Sequence, residues 1–209
     1  MATTDTSEDP EVEASAPTPV GVKLGSTRTV VSSSTEDGVR TGQSLTCIAT
    51  YEDPLTGEER VLYGEEAATE YPDRAEFMLR SGLPEDGASA DQAARFFRAF
   101  TQGQGVPADS AVVYAVPTID NEEGLGNLQA VIGDSYIGEA LVRSYPESLC
   151  GAIPAFGDGL EAIEDIFVAV NMGSTNLEAC AYRRGEQLVP FATGAVTGNE
   201  VDRRIANYV

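Results

Sequence analysis

The chain reads as an α/β protein, and three features predict this. A strand-then-turn octet occurs twice, VGVKLGST at 20–27 and VAVNMGST at 168–175. Each copy is followed by strand-like runs in meander order. Between the copies lies a short, fully apolar run, AVVYAVP at 111–117, of the buried-strand type, with segments of helical spacing after it.

Residues 1–18 are acid-rich and nearly devoid of large apolar side chains, so they are expected to form a disordered, solvated tail. VGVKLGS then gives a first strand, RTVVSSS a second and, after a turn through TEDGVRTG, SLTCIATYE a third; RVLYG adds another beyond the DPLTGEE turn. Helical spacing predicts helices near 65–81 and 90–100, the latter with Asp91 in its first turn. The buried strand at 111–117 leads into a helix over NLQAVIGDSYIGEAL and a parallel neighbour at LVRSY. PESLCGAIPAF reads as a helix opened by Pro146 and bent at Pro154. DIFVAVNMGS returns as a core strand, LEACAYRRG and QLVPFATGA add two more, and NEVDRRIANYV closes as a helix with Asn199 as its cap.

Thirty-four acidic residues face thirteen basic ones, a formal net charge of −21. Such a chain repels itself in dilute buffer, whereas at molar salt a screening length of ~3 Å makes the charge tolerable. Twelve of the bases are Arg, and Lys23 is the one lysine. Acid-rich, lysine-poor composition points to an extreme halophile. An acidic partner-binding surface is the alternative, but the acids are spread along the whole chain. No basic stripe exists to displace counterions, so neither nucleic acid nor an anionic membrane is an expected partner.

Cys47, Cys150 and Cys180 are odd in number, far apart and set in apolar segments, which suits core residues in a reducing compartment better than a redox or metal role. The absence of His removes Ser/His and Cys/His nucleophilic mechanisms. No apolar run reaches ~18 residues and the N-terminal stretch has no apolar signal-type segment, so a cytoplasmic protein without membrane insertion is expected.

Function hangs on the two octets. Gly25 and Gly173 permit tight turns, and Ser26, Thr27, Ser174 and Thr175 set hydroxyls beside exposed backbone amides, a combination that holds phosphate. Two such turns face to face would grip a nucleotide's phosphates from both sides. The plainer alternative is a pair of ordinary strand ends of any α/β fold.

The order of elements resembles the first domain of the actin-like ATPases, in the superfamily shared with sugar kinases and heat-shock chaperones, and most closely the MreB type. VKLGSTRT looks like the family's first phosphate loop through Gly25, Ser26 and Thr29. VNMGSTNLE looks like the second, and ESLCGAI resembles the connecting helix whose leading Glu positions the attacking water, a place held here by Glu147. TGNEVDRRIANYV resembles the Gly-rich turn and helix that follow, and LYGEEA matches a family turn. The resemblance spans about 20–209. It implies an actin-like, ribonuclease H-like domain with a mixed five-stranded sheet flanked by helices over 19–209, a small inserted subdomain near 65–105, and a second domain missing. It also implies ATP as ligand, with contacts from Lys23, Gly25, Ser26, Thr27, Asn171, Gly173, Ser174 and Thr175, and with Gly198 and Asn199 near the sugar.

Two departures matter. The acids that the family places near its Mg²⁺ correspond here to Lys23 and Asn171, so no metal ligand is assigned, and metal-assisted hydrolysis should be weakened. Three placements of Lys23 fit the sequence: an exposed strand end, a position between the loops offering its ammonium to a phosphate, or a pair with an acid such as Glu147 that locks a site no longer binding nucleotide. The expected function is an actin-like, nucleotide-binding cytoskeletal protein that self-associates into filaments for cell shape or segregation. The alternatives are a non-hydrolysing interaction protein on the same fold and, less well supported, a sugar or acid kinase fragment.

Overall fold

The computed structural model describes residues 16–118, 121–138 and 140–209, so the expected tail lies largely outside the described residues. Strands β1 (Thr18–Leu24), β2 (Arg28–Thr35) and β3 (Gly38–Leu45) form an antiparallel meander. Period-two alternation buries Val20, Val22 and Leu24 on one face of β1 and leaves Gly21 and Lys23 on the other. The far edge of β1 pairs in parallel with β7 (Ser110–Val116), which pairs in parallel with β8 (Ala140–Pro146). The result is the expected mixed five-stranded sheet, in the order β3-β2-β1-β7-β8.

The buried face of this sheet is closed by α2 (Gly87–Gly103) and α3 (Glu122–Gly133). Phe96, Phe97, Leu128 and Ile132 are essentially solvent-free and share one core with Val20, Val22 and Val112. Asp86 caps α2 in a reciprocal box with Ser89, and Asn121 caps α3 by accepting from the Gly124 amide.

Several elements depart from the sequence reading. The hairpin after β2 turns at Glu36 and Asp37 alone, so most of the expected turn is strand β3. The expected third strand is broken at buried Thr46, whose hydroxyl bonds that of Thr29 at 2.9 Å and whose amide donates to the Thr27 carbonyl. Past that break, β4 (Cys47–Glu52) joins β5 (Glu59–Tyr63) and β6 (Glu76–Phe77) in a separate small sheet covered by α1 (Gly64–Glu70). The helix expected to 81 stops early because Pro72 opens a 3₁₀ turn (Pro72–Arg74). Residues 47–77 thus hold a small sheet of their own, and α2, which lies within the 65–105 stretch expected as an insertion, packs into the main core. Helix α3 ends at Gly133 because the Ser135 hydroxyl and amide take the Ile132 carbonyl.

The second octet begins a sheet of its own. Strands β9 (Phe167–Met172), β10 (Leu177–Arg183) and β11 (Glu186–Thr193) repeat the antiparallel meander of β1–β3 in the order β11-β10-β9. Residues 19–209 thus hold one complete sheet and a second three-stranded one, because β9 pairs only with β10 among the described residues. Helix α4 (Glu147–Phe156) links the sheets: the Ser148 hydroxyl lies 2.8 Å from that of buried Tyr182 on β10, and Phe167 stacks between Phe156 and Tyr182. Burial pushes the Tyr182 phenol up to about 12, so it remains a neutral hydrogen-bonding partner. Helix α5 (Gly198–Ala206) closes the chain, capped by the Thr197 hydroxyl on the Glu200 amide rather than by Asn199.

Candidate functional site

The two octets meet. In the first loop the Gly25 amide donates to the Arg28 carbonyl at 3.1 Å; in the second the Gly173 amide donates to the Asn176 carbonyl at 2.7 Å. Repeated sequence has become repeated geometry. Neither glycine has a positive φ. Their smallness is needed for close approach instead: a Cβ on Gly25 would lie 2.6 Å from the Arg28 carbonyl oxygen, and one on Gly173 would lie 2.8 Å from Asn176 Oδ1.

A third turn locks the loops together. Thr175 Oγ1 donates to Ser26 Oγ at 2.8 Å, the Gly82 amide donates to Ser26 Oγ at 2.8 Å, and the Ser81 amide donates to Thr175 Oγ1 at 2.9 Å. Ser81 and Gly82 both have positive φ, and Arg80 and Leu83 exchange amide–carbonyl bonds around them, a tight two-residue hairpin turn. The sequence reading passed over this turn; the Ser-Gly pair at 81–82 was its available signal.

Lys23, Gly25, Ser26, Thr27, Gly173, Ser174 and Glu147 line a single cavity of about 210 Å³. The hydroxyls of Ser26 and Thr175 are spent on one another and on the third turn. Among the described residues, the amides of Ser26, Thr27, Ser174 and Thr175 make no hydrogen bond to the protein, so the loops present backbone N–H groups, the donors that suit an anion. Gly198 and Asn199 stand behind the second loop, where their amides donate to the Gly173 and Ser174 carbonyls and support it from the start of α5.

Lys23 pairs with Glu147: the ammonium bonds Glu147 Oε1 across the cavity wall. The ion pair of the third placement is formed, and it lies on the wall of the cavity between the loops. The lysine stem lies over the first loop, with Cε 3.5 Å from where a Gly25 Cβ would stand. Glu147 is the first residue of α4, fixed through the adjacent Ser148–Tyr182 contact.

Asn171 lies outside the loop cavity and lines an adjoining groove of about 400 Å³ with Lys23, Glu147 and Cys150. Burial raises the Cys150 thiol, the negative charge of Glu147 adds to this and Lys23 opposes it. Cys47 and Cys180 are core residues, and all three thiols are free. Asn171 sits across β9–β10 from Glu178, a fully buried carboxyl that sequence reading also missed. Glu178 Oε1 accepts from Asn176 Nδ2 at 2.8 Å, while Oε2 has no hydrogen-bond partner among the described residues.

The divalent cation implied by the family resemblance does not fit this donor set. Lys23 and Asn171, an ammonium and a neutral amide, offer no anionic oxygen, and Lys23 occupies Glu147. Among the described residues no group of three or more His, Cys, Asp or Glu stands close enough to hold a metal.

Comparison with known proteins agrees with this architecture. A family described as Salactin matches residues 17–209. A protein named Salactin from Halobacterium salinarum is 64% identical over 212 residues, which cover 98% of this chain and 59% of that protein. The chain thus spans about three fifths of the length of this curated relative. MreB5 of Spiroplasma citri bound to AMPPNP superposes with a TM-score of 0.73 at 19% identity, covering 93% of this chain and 57% of that one. The MamK double helical filament gives a TM-score of 0.68 at 17% identity, covering 91% and 58%. These structural likenesses establish the actin-like fold.

Proposed function

Because the chain belongs to the salactin family, we propose that it is part of an actin-like cytoskeletal protein that binds a nucleotide at the Gly25 and Gly173 loops and assembles into filaments. The single observation that carries this reading is the meeting of the two loops at the Ser26–Thr175 bond, with Gly25, Ser26, Thr27, Gly173 and Ser174 lining one cavity. Support comes from the structural relatives: MreB5 of Spiroplasma citri is described bound to ADP and to AMPPNP, and MamK is described as a double helical filament. A role in cell shape or segregation follows from that assembly. Among the described residues no helix is long and apolar enough to cross a membrane, and a cytoplasmic location is part of the proposal.

Hydrolysis is the weaker activity in this reading. Glu147, to which the family resemblance gives the role of orienting water, is engaged by Lys23. That pairing favours a second reading, a slowly or non-hydrolysing protein whose assembly is set by nucleotide occupancy rather than turnover. The test is electron microscopy and sedimentation of the full-length protein in molar KCl with ATP, ADP or no nucleotide. Nucleotide-dependent filaments support the proposal, and dispersed protein under all three conditions defeats it. Phosphate release measured in parallel separates the two readings, and Lys23→Asp with Asn171→Asp should raise Mg²⁺-dependent turnover if the lost acids are what limits it.

A further inference from the structure

We infer that this protein takes its nucleotide as a metal-free polyphosphate anion, with the Lys23 ammonium supplying the positive charge at the phosphates. The inference rests on the nucleotide reading above and specifies the form of ligand that the site accepts. Its starting point is the misfit between a divalent cation and the groups present.

Four observations support it. First, Lys23 is the one lysine in a chain of net charge −21, and it stands on the wall shared by both phosphate-type loops, while the other cation on that cavity, Arg28, lies 3.7 Å from Glu65 Oε1. Second, its stem lies beside the first loop, with Cε 3.5 Å from the Gly25 Cβ position, and a lysine carries its ammonium on a flexible four-carbon chain. Third, the pair is asymmetric in exposure: the Lys23 side chain is 41% exposed and that of Glu147 17%. The lysine is the partner on the open side and the one able to move. Fourth, Asn171 brings no negative charge to the neighbouring wall, so no second carboxylate there calls for a dication.

Glu147 then serves as the counterion of the empty site. A partly buried ammonium without an anion is costly, so the lysine exchanges one anionic partner for another rather than going unpaired. Molar salt suits this arrangement. With a screening length of ~3 Å, long-range attraction disappears while a direct ammonium–phosphate contact survives. The exchange also frees the Glu147 carboxylate only when the cavity is filled, so the pair reports occupancy.

The experiment is calorimetric titration of the full-length protein with ADP in molar KCl, once with excess EDTA and once with excess Mg²⁺. The expected result is a Kd that agrees within about threefold between the two conditions, whereas a tenfold difference corresponds to about 1.4 kcal/mol. Lys23→Met should raise the metal-free Kd at least about tenfold, and Glu147→Gln should lower it a few-fold, because the lysine no longer has to leave a carboxylate. A purely structural ion pair would give the opposite sign for Glu147→Gln. If Lys23→Met unfolds, the neutral double variant Lys23→Met with Glu147→Gln removes both charges and should still show the loss. Binding that requires Mg²⁺, or a Lys23 variant that binds like wild type, overturns the inference and leaves the nucleotide reading intact. Failure to bind in either condition overturns both.

Discussion

Thr175 Oγ1 donates to Ser26 Oγ across 2.8 Å and so joins two loops that lie at opposite ends of the sequence. Both hydroxyls also accept amides from the Ser81–Gly82 turn, which makes a three-turn knot. Ser26 is 8% exposed, and loss of its hydroxyl deprives two donors, the Gly82 amide and the Thr175 hydroxyl, of their acceptor. Ser26→Ala is expected to destabilise the fold by about 1–3 kcal/mol. Thr175→Val should be comparably costly, and the double variant should cost less than the sum by about 0.5–3 kcal/mol because both members belong to one network. Urea unfolding at fixed molar KCl measures all three; strict additivity would show that the knot is not an energetic unit.

The glycines of the two loops should differ in their tolerance. A Cβ on Gly25 meets the backbone carbonyl of Arg28 at 2.6 Å, an atom tied into the β1–β2 hairpin. The nearest atom to a Cβ on Gly173 is Asn176 Oδ1 at 2.8 Å, the end of a side chain, with the backbone carbonyl at 3.1 Å. Gly25→Ala should therefore cost about 1–3 kcal/mol, with Gly173→Ala at the lower end of that range or below it. Paired unfolding curves decide the order, and equal costs would mean that the two turns relax alike.

Strands β1 and β7 were legible because their signals are local, alternation in β1 and an apolar run in β7, whereas their assembly into a mixed five-stranded sheet was implied by the family resemblance. What failed to read were places where one buried hydroxyl outweighs pattern. Thr46 gives no sign in sequence that it will end one strand and hand the chain to another sheet, because that switch depends on Thr29, brought beside it only by the fold. Thr197 and Asn199 are both good caps by residue type; Thr197 takes the role because the Asn199 amide is drawn to the Ser174 carbonyl. At the site, Lys23, Gly25, Ser26, Thr27, Glu147, Gly173 and Ser174, all named from the sequence and its family resemblance, line one cavity, whereas Thr175 and Asn171 do not, and the Lys23–Glu147 contact was among the anticipated placements. The Ser81–Gly82 turn and Glu178 were not found. A Ser-Gly pair and a glutamate in a strand carry no distinguishing mark until tertiary structure buries them.

Salt should act on the whole molecule. With 34 acids against 13 bases, raising KCl from dilute to molar is expected to raise the unfolding midpoint and then level off as the screening length falls to ~3 Å. The exposed hairpin turn at Glu36 and Asp37 isolates the effect, since neither side chain forms an ion pair among the described residues. Glu36→Gln with Asp37→Asn should stabilise the protein in dilute buffer by a few tenths of a kcal/mol, about the scale of surface changes, and have no effect in molar KCl. An equal gain at both salt concentrations would point to turn conformation rather than charge.

Glu178 gives stability a specific dependence on pH. Burial is the largest influence on its carboxyl and raises the pKa; the negative charge of Glu147 acts in the same direction, while the polar groups of Thr118 and the Asn176 amide pull back without cancelling the rise. The folded state therefore holds this proton to higher pH than the unfolded chain does. Its favourable contribution is complete below the ordinary glutamate value of about 4.3 and is lost as pH climbs through the raised folded value. Glu178→Gln keeps the acceptor for Asn176, adds a neutral amide where Oε2 is unpartnered, and removes the ionisation. Relative to wild type, the variant should gain stability as pH rises from 4 to neutrality, with little advantage at the acid end. Unfolding free energies of both proteins at constant molar KCl across that range give the difference curve. A flat difference would mean that the carboxyl titrates alike in the folded and unfolded states, and an advantage that shrinks with rising pH would mean that the buried site favours the carboxylate.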